Sequence, residues 1–170
     1  APAPQPRPAA TTGWRVLVID DDADVHQATR FSLEKVTLFE RPLELWHATS
    51  AQEAKALLVP GADIALVLLD VVMETPAAGL DLVTHIRDVA QLKETRIVLR
   101  TAQPGYAPEH ETLLTYDIND YKTKSELTHH KLLATVTSAV RAYQQLRALE
   151  AGRQGLARVV DTAGQLLPAT

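Results

Sequence analysis

The chain has 170 residues, 46% of them hydrophobic and 22% charged, the balance of one globular domain with a full core and some excess length. Its 17 basic and 21 acidic residues leave a net charge of -4, which argues against nucleic acid as a direct partner. There is no Cys, so disulfides, thiolate zinc sites and thiol catalysis are excluded; no apolar run is long enough to span a bilayer, so no membrane partner and a cytoplasmic location are expected.

The first segment, residues 1–13, carries four prolines and one arginine but no apolar stretch of signal-peptide type. Alternating Ala, Pro and polar residues bury too little to offset ordering entropy, so this tail is expected to be disordered. From Trp14 onward strands and helices alternate. Strands are expected near 14–19, 43–48, 64–69, 96–100 and 118–122. Helices are expected near 24–36, 51–59, 78–90 and 106–115, with a longer one from Ser125. Five such units imply an α/β fold, with a doubly wound five-stranded parallel sheet and helices on both faces.

Two strands end in acid. Val16-Leu17-Val18-Ile19 runs into Asp20-Asp21-Asp22, and Ile64-Ala65-Leu66-Val67-Leu68-Leu69 runs into Asp70. Continuous apolar runs of this length read as strands buried on both faces. Their carboxylates therefore arrive at the carboxyl edge of the sheet, where open α/β sheets bind ligands. Carboxylates gathered there repel one another unless a hard cation such as Mg²⁺ lies between them.

The last helix carries two apolar seams. Leu132, Val136, Ala139, Tyr143 and Leu146 form the first, and Leu149, Leu156, Val160, Ala163 and Leu167 the second. The seams are offset by three residues, as in a coiled-coil stammer. Gly152 and Gly155 lie near the join and each costs a helix about 1 kcal/mol relative to Ala, so a break or hinge is expected there. The first seam covers the sheet. The second needs a partner helix or a further domain, and a parallel homodimer through this helix is the expectation.

Chemistry-bearing residues end four of the five strands: Asp20-Asp21, Asp70, Thr101 and Lys124. Asp21 and Asp70 can ligate Mg²⁺ directly, and Asp20 through water. Asp70, alone on the central strand, is the nucleophile able to form an acyl phosphate. The Thr101 hydroxyl can bond a phosphoryl oxygen, and Lys124 supplies a point charge to the phosphate or to Asp70.

With these residues in place, the stretch from about Trp14 to Tyr143 resembles the receiver domain of bacterial two-component response regulators. The motifs are VLVIDDD at 16–22, LVLLDVVM at 66–73, IVLRTA at 97–102 and DYKTK at 120–124. The resemblance implies a flavodoxin-like sheet of order 2-1-3-4-5, phosphorylation of Asp70, and Thr101 and Tyr121 as switch residues. It also implies the Val72 carbonyl as the remaining metal ligand. A sensor histidine kinase or phosphotransfer protein would be the phosphoryl donor. Domain limits follow as 14–147 for the receiver and 148–170 for a helical linker.

Two positions depart from the family pattern. Ser125 follows the active-site Lys where Pro is usual, and Glu74 stands where a loop proline is common. A cis bond before a non-proline residue costs about 3 kcal/mol, so the Lys124–Ser125 bond is trans or strained. The stretches 74–87 and 116–143 further resemble receivers that precede HD-GYP phosphodiesterases with cyclic-di-GMP outputs.

Blander readings compete residue by residue. Asp22 reads as a helix N-cap. The six His residues share no metal spacing, and Glu109-His110-Glu111 lacks the second His of a zinc protease helix. Trp14 and Trp46 read as packing residues. Lys131, Arg141, Arg147, Arg153 and Arg158 read as a solvated helix face. Two other functions stay open. A haloacid-dehalogenase-type phosphatase would use Asp20 and Asp22 as its DxD pair, although Asp24 stands where Thr or Val belongs. A scaffold of receiver shape without chemistry would not need Asp20, Asp21, Asp70, Thr101 and Lys124 together.

Overall fold

The computed structural model describes residues 12–102 and 109–166, with side chains to 160. Its elements are β1 Trp14–Ile19, α1 Ala23–Leu33, β2 Thr37–Leu38, β3 Arg41–Ala48, α2 Ala51–Leu57 and β4 Leu66–Asp70. There follow α3 Ala78–Thr84, continued by a π-helical turn His85–Val89, then β5 Arg96–Thr101, α4 Glu109–Thr115, β6 Asp120–Thr123 and α5 His129–Leu166. Residues 1–11 of the expected tail 1–13 and the expected α4 start at 106–108 lie outside the described residues.

The sheet order is β2-β3-β1-β4-β5-β6. The five long strands are parallel and take the expected 2-1-3-4-5 arrangement when numbered among themselves. The expectation of five strands needs one correction, because β2 adds a sixth, antiparallel to β3. Phe39 (φ 50°) and Glu40 (φ 65°) adopt left-handed backbone and turn the chain in two residues. Asn-Gly is the usual signal for such a turn, and it is missing here. The Trp14 indole N–H donates to the Leu38 carbonyl at 2.8 Å, tying the edge strand to β1. The hairpin also ends α1 at Leu33 instead of 36.

Every residue of β4 is buried, as are five of the six in β1. Two apolar layers sandwich the sheet. Leu17, Ile19, Leu69 and Leu99 pack with Ala54, Leu82 and Ile86 of α2, α3 and the π turn. Val16, Val18, Leu68 and Val98 pack with Leu33 of α1 and Leu132, Val136 and Val140 of α5. The π turn has a visible purpose. It carries Arg87, 7% exposed, whose guanidinium donates to the carbonyls of Leu92 (2.6 Å), Thr95 (2.7 Å) and Asp117 (2.9 Å). One side chain thus gathers the entry to β5 and the loop before β6. Arg87→Met should cost about 2 kcal/mol, because these three carbonyls and that of Lys93 lose a charged donor. Urea unfolding checks this, and an unchanged midpoint would contradict it.

α5 starts at His129, later than Ser125, because residues 123–126 form a turn of their own. Thr123 Oγ1 donates to Glu126 Oε1 at 2.8 Å, and the Glu126 N–H donates to the Thr123 carbonyl at 3.1 Å. Among the described residues no peptide bond is cis, so the Lys124–Ser125 bond is trans. Leu132, Val136, Ala139 and Tyr143 are buried as the first seam requires. The Tyr143 hydroxyl donates to the Asp63 carboxylate, fixing the helix to the loop before β4. The expected break at Gly152 and Gly155 does not occur, and the helix runs unbroken to Leu166. Good helix formers on either side (Ala151, Arg153, Gln154, Leu156, Ala157) outweigh two modest penalties. Leu149, Leu156 and Val160 are each at least 60% exposed. The Ala163 side chain and Leu167 lie outside the described residues.

Candidate functional site

Strand register builds the site. Ile19 lies opposite Leu69, and Asp70 opposite Arg100, so Asp20 follows its strand into the position beside Asp70. Side chains alternate along a strand, so Asp20 and Asp70 share the α1–α5 face with Val18 and Leu68. Asp20 is fully buried and Asp70 is 4% exposed, while Asp21 is exposed. Each of the three offers an oxygen, and these oxygens lie within 4.8 Å of one another.

Lys124 completes the cluster. Its backbone N–H donates to the Thr101 carbonyl at 2.8 Å, which aligns the loop after β6 with the end of β5. Its Nζ is then 2.9 Å from Asp20 Oδ2 and 3.2 Å from Asp70 Oδ2. Burial alone would lower the pKa of this ammonium, but the contacts to Asp20 and Asp70 hold it above the usual lysine value. Asp70 is pushed up to about 6, first by burial and next by the Asp20 charge, against the pull of Lys124. The pair of carboxylates is therefore short of positive charge. An all-oxygen donor set in this condition fits a hard divalent cation.

The surrounding loops serve the same edge. Asp22 Oδ1 accepts from the Asp24 N–H at 2.9 Å and caps α1, as expected, while the Asp22 N–H donates to Asp20 Oδ1 at 2.9 Å. Glu74, in place of the usual proline, accepts the Ala51 N–H at 2.8 Å and so holds the loop after β4 against the start of α2. A Cβ at Gly79 would lie 2.2 Å from the Asp70 carbonyl oxygen. Only glycine lets α3 begin so close to the backbone of Asp70 and Val71. Val72 is half-buried on this loop; Thr101 and Tyr121 are buried, at the end of β5 and within β6.

Two further features escaped the sequence reading. His26 is buried, and its Nε2 lies 2.6 Å from the Asp20 carbonyl oxygen while its Nδ1 lies 2.7 Å from His47 Nδ1. A carbonyl only accepts, so the His26 Nε2–H donates; with neutral rings the His47 Nδ1–H then donates to His26. Desolvation, followed by repulsion from His26 and Arg30, lowers the His47 pKa and favours that neutral state. The second feature is Arg100, a charge inside the apolar run IVLRTA and 4% exposed. That charge within a buried strand was the available signal.

Residues 16–137 match the family model of the response regulator receiver domain, and residues 136–170 match a domain of unknown function (DUF3369). Over 153 residues the chain is 45% identical to a 3'3'-cGAMP-specific phosphodiesterase 2 of Vibrio cholerae serotype O1. That match covers 90% of this chain but 29% of the relative, so the chain spans under a third of its length. Among solved structures, an adenylate cyclase from Rhodopirellula baltica aligns over 84% of this chain and 98% of its own, with TM-score 0.67 and 15% identity. A CheY-like receiver domain from Methanospirillum hungatei aligns over 79% and 98%, with TM-score 0.60 and 21% identity. At such identities these structures establish the fold alone. Among the described residues no helix is long and apolar enough to cross a membrane.

Proposed function

The chain belongs to the response regulator receiver domain family, and from that premise we propose that Asp70 accepts a phosphoryl group from a sensor histidine kinase or phosphotransfer protein. The observation that carries this reading is the cluster of Asp20, Asp21, Asp70 and Lys124 at the carboxyl edge of the sheet. A carboxylate oxygen of Asp70 attacks phosphorus. The O–P bond forms as the N–P bond to the donor imidazole breaks, and the electron pair returns to that nitrogen.

Asp21, Asp70 and the Val72 carbonyl would hold Mg²⁺, with Asp20 acting through water. When bound, the cation supplies positive charge to the transferred group. Lys124 moves from its bridge between two carboxylates to the phosphoryl oxygens. Thr101 offers its hydroxyl to the same group, and Tyr121 responds in the core beneath. Acetyl phosphate tests the scheme: the chain should take up one phosphoryl group only with Mg²⁺, and hydroxylamine should remove it. No uptake with saturating Mg²⁺ would refute the reading.

Residues 14–147 form the receiver in this account, and 148–170 lead as a helix toward an output. The Vibrio cholerae relative points to cyclic-dinucleotide turnover as that output. The exposed stripe of Leu149, Leu156 and Val160 supports pairing of α5 with a second copy, in parallel. Sedimentation of the chain against a version ending at Ala148 decides this. A dimer at tens of micromolar is expected for the longer chain alone. Monomers of both, with and without a phosphoryl mimic, would contradict it.

A further inference from the structure

Arg100 is the immediate neighbour of Asp70 in the sheet register, and alternation places it on the same α1–α5 face. Its Nη1–H donates to Thr29 Oγ1 at 3.1 Å, and Thr29 in turn donates to the Val25 carbonyl at 2.7 Å. The guanidinium is thereby fastened to α1. Nε and Nη2 are sealed from solvent and have no hydrogen-bond partner. A buried cation with idle donors is costly, so a state that uses them is favoured once it becomes available.

On the shared face, Asp70 lies directly beside Arg100 and Asp20 follows one strand further on. The acidic groups whose charges act on Arg100 are Asp20 and Asp70. Asp20 Oδ2 is itself buried and is held by the Lys124 ion pair without a well-directed hydrogen bond. A diffusing anion does not reach Nε or Nη2, because water does not. Arg100 and Lys124 both line a cleft of about 200 Å³ walled by Val25 and Ala28 of α1, by Leu127, and by Leu132 of α5.

We propose that Arg100 is a positioning residue of the phosphorylated state: when Lys124 engages the phosphoryl group on Asp70, Arg100 turns its free donors onto Asp20 and holds that carboxylate in place. The inference rests on the Asp70 reading above. It makes the cation replacing Lys124 a resident of the protein, and it couples that exchange to α1 through Thr29.

The test is a pair of titrations on the full chain, one with Mg²⁺ alone and one with beryllofluoride in saturating Mg²⁺. Arg100→Met should keep or raise Mg²⁺ affinity, because one cation leaves the neighbourhood of the metal. It should bind beryllofluoride roughly tenfold more weakly or worse, the scale of one charged hydrogen bond. Arg100→Lys should recover part of that loss. Wild-type beryllofluoride affinity in Arg100→Met overturns the proposal, and so does a parallel loss of both ligands, which marks mere structural damage. Should the methionine variant fail to fold, Arg100→Gln is read by the same two criteria. A wild-type chain that takes no beryllofluoride overturns the Asp70 reading itself, and this inference with it.

Discussion

Asp70→Asn should abolish phosphoryl uptake and, in the absence of metal, make the protein more stable than wild type by about 1–3 kcal/mol above pH 6. The first effect follows because an amide oxygen is too weak a nucleophile to replace a carboxylate. The second follows from the sign of the shift. The folded state raises the Asp70 pKa from 3.8 to about 6, so folding favours the protonated carboxyl. That preference stabilises the wild-type protein fully below about pH 4, fades between pH 4 and 6, and is lost above. An uncharged isostere escapes the loss. The advantage of Asp70→Asn should therefore appear on raising pH through 4–6 and stay level beyond it. Urea unfolding in a chelator at several pH values measures the difference. Equal stability of the two proteins at pH about 8 would show that Lys124 fully compensates Asp70.

Asp21→Ala is expected to weaken Mg²⁺ binding by about 100-fold or more, since even outer ligands of metal sites are worth 10–100-fold. Asp21 is the exposed member of the cluster, so its removal opens no cavity and leaves the core intact. Loss of affinity can then be assigned to the missing oxygen. Without metal the variant should unfold no more readily than wild type, because a like charge beside Asp20 and Asp70 has gone. Calorimetric titration of Mg²⁺ decides it. Affinity within a few-fold of wild type would remove Asp21 from the ligand set.

The sheet and its acidic edge were legible because both rest on strong, local signals. Leu66 to Leu69 can only be a strand buried on both faces, and Asp70 then has one place to go. Asp20 and Lys124 were legible as chemistry for the same reason, though not as partners in an ion pair. The edge hairpin was hidden because Phe39 and Glu40 take left-handed backbone without the residues that normally announce it. The π turn was hidden because its cause is Arg87, whose carbonyl partners lie in distant loops. Gly79 and the His26–His47 contact belong to the same class, since each depends on an approach between segments that no spacing encodes. The unbroken α5 shows the opposite error, in which two glycines were given more weight than the helix formers around them.

Asp70, and no other carboxylate, is expected to form the acyl phosphate. Borohydride reduction of the chain labelled with acetyl phosphate and Mg²⁺, followed by mass mapping of the peptides, reads the site directly. Asp70 alone should be converted, with Asp20, Asp21 and Asp22 unmodified. Conversion at Asp20, the position a haloacid-dehalogenase-type phosphatase would use, would contradict it.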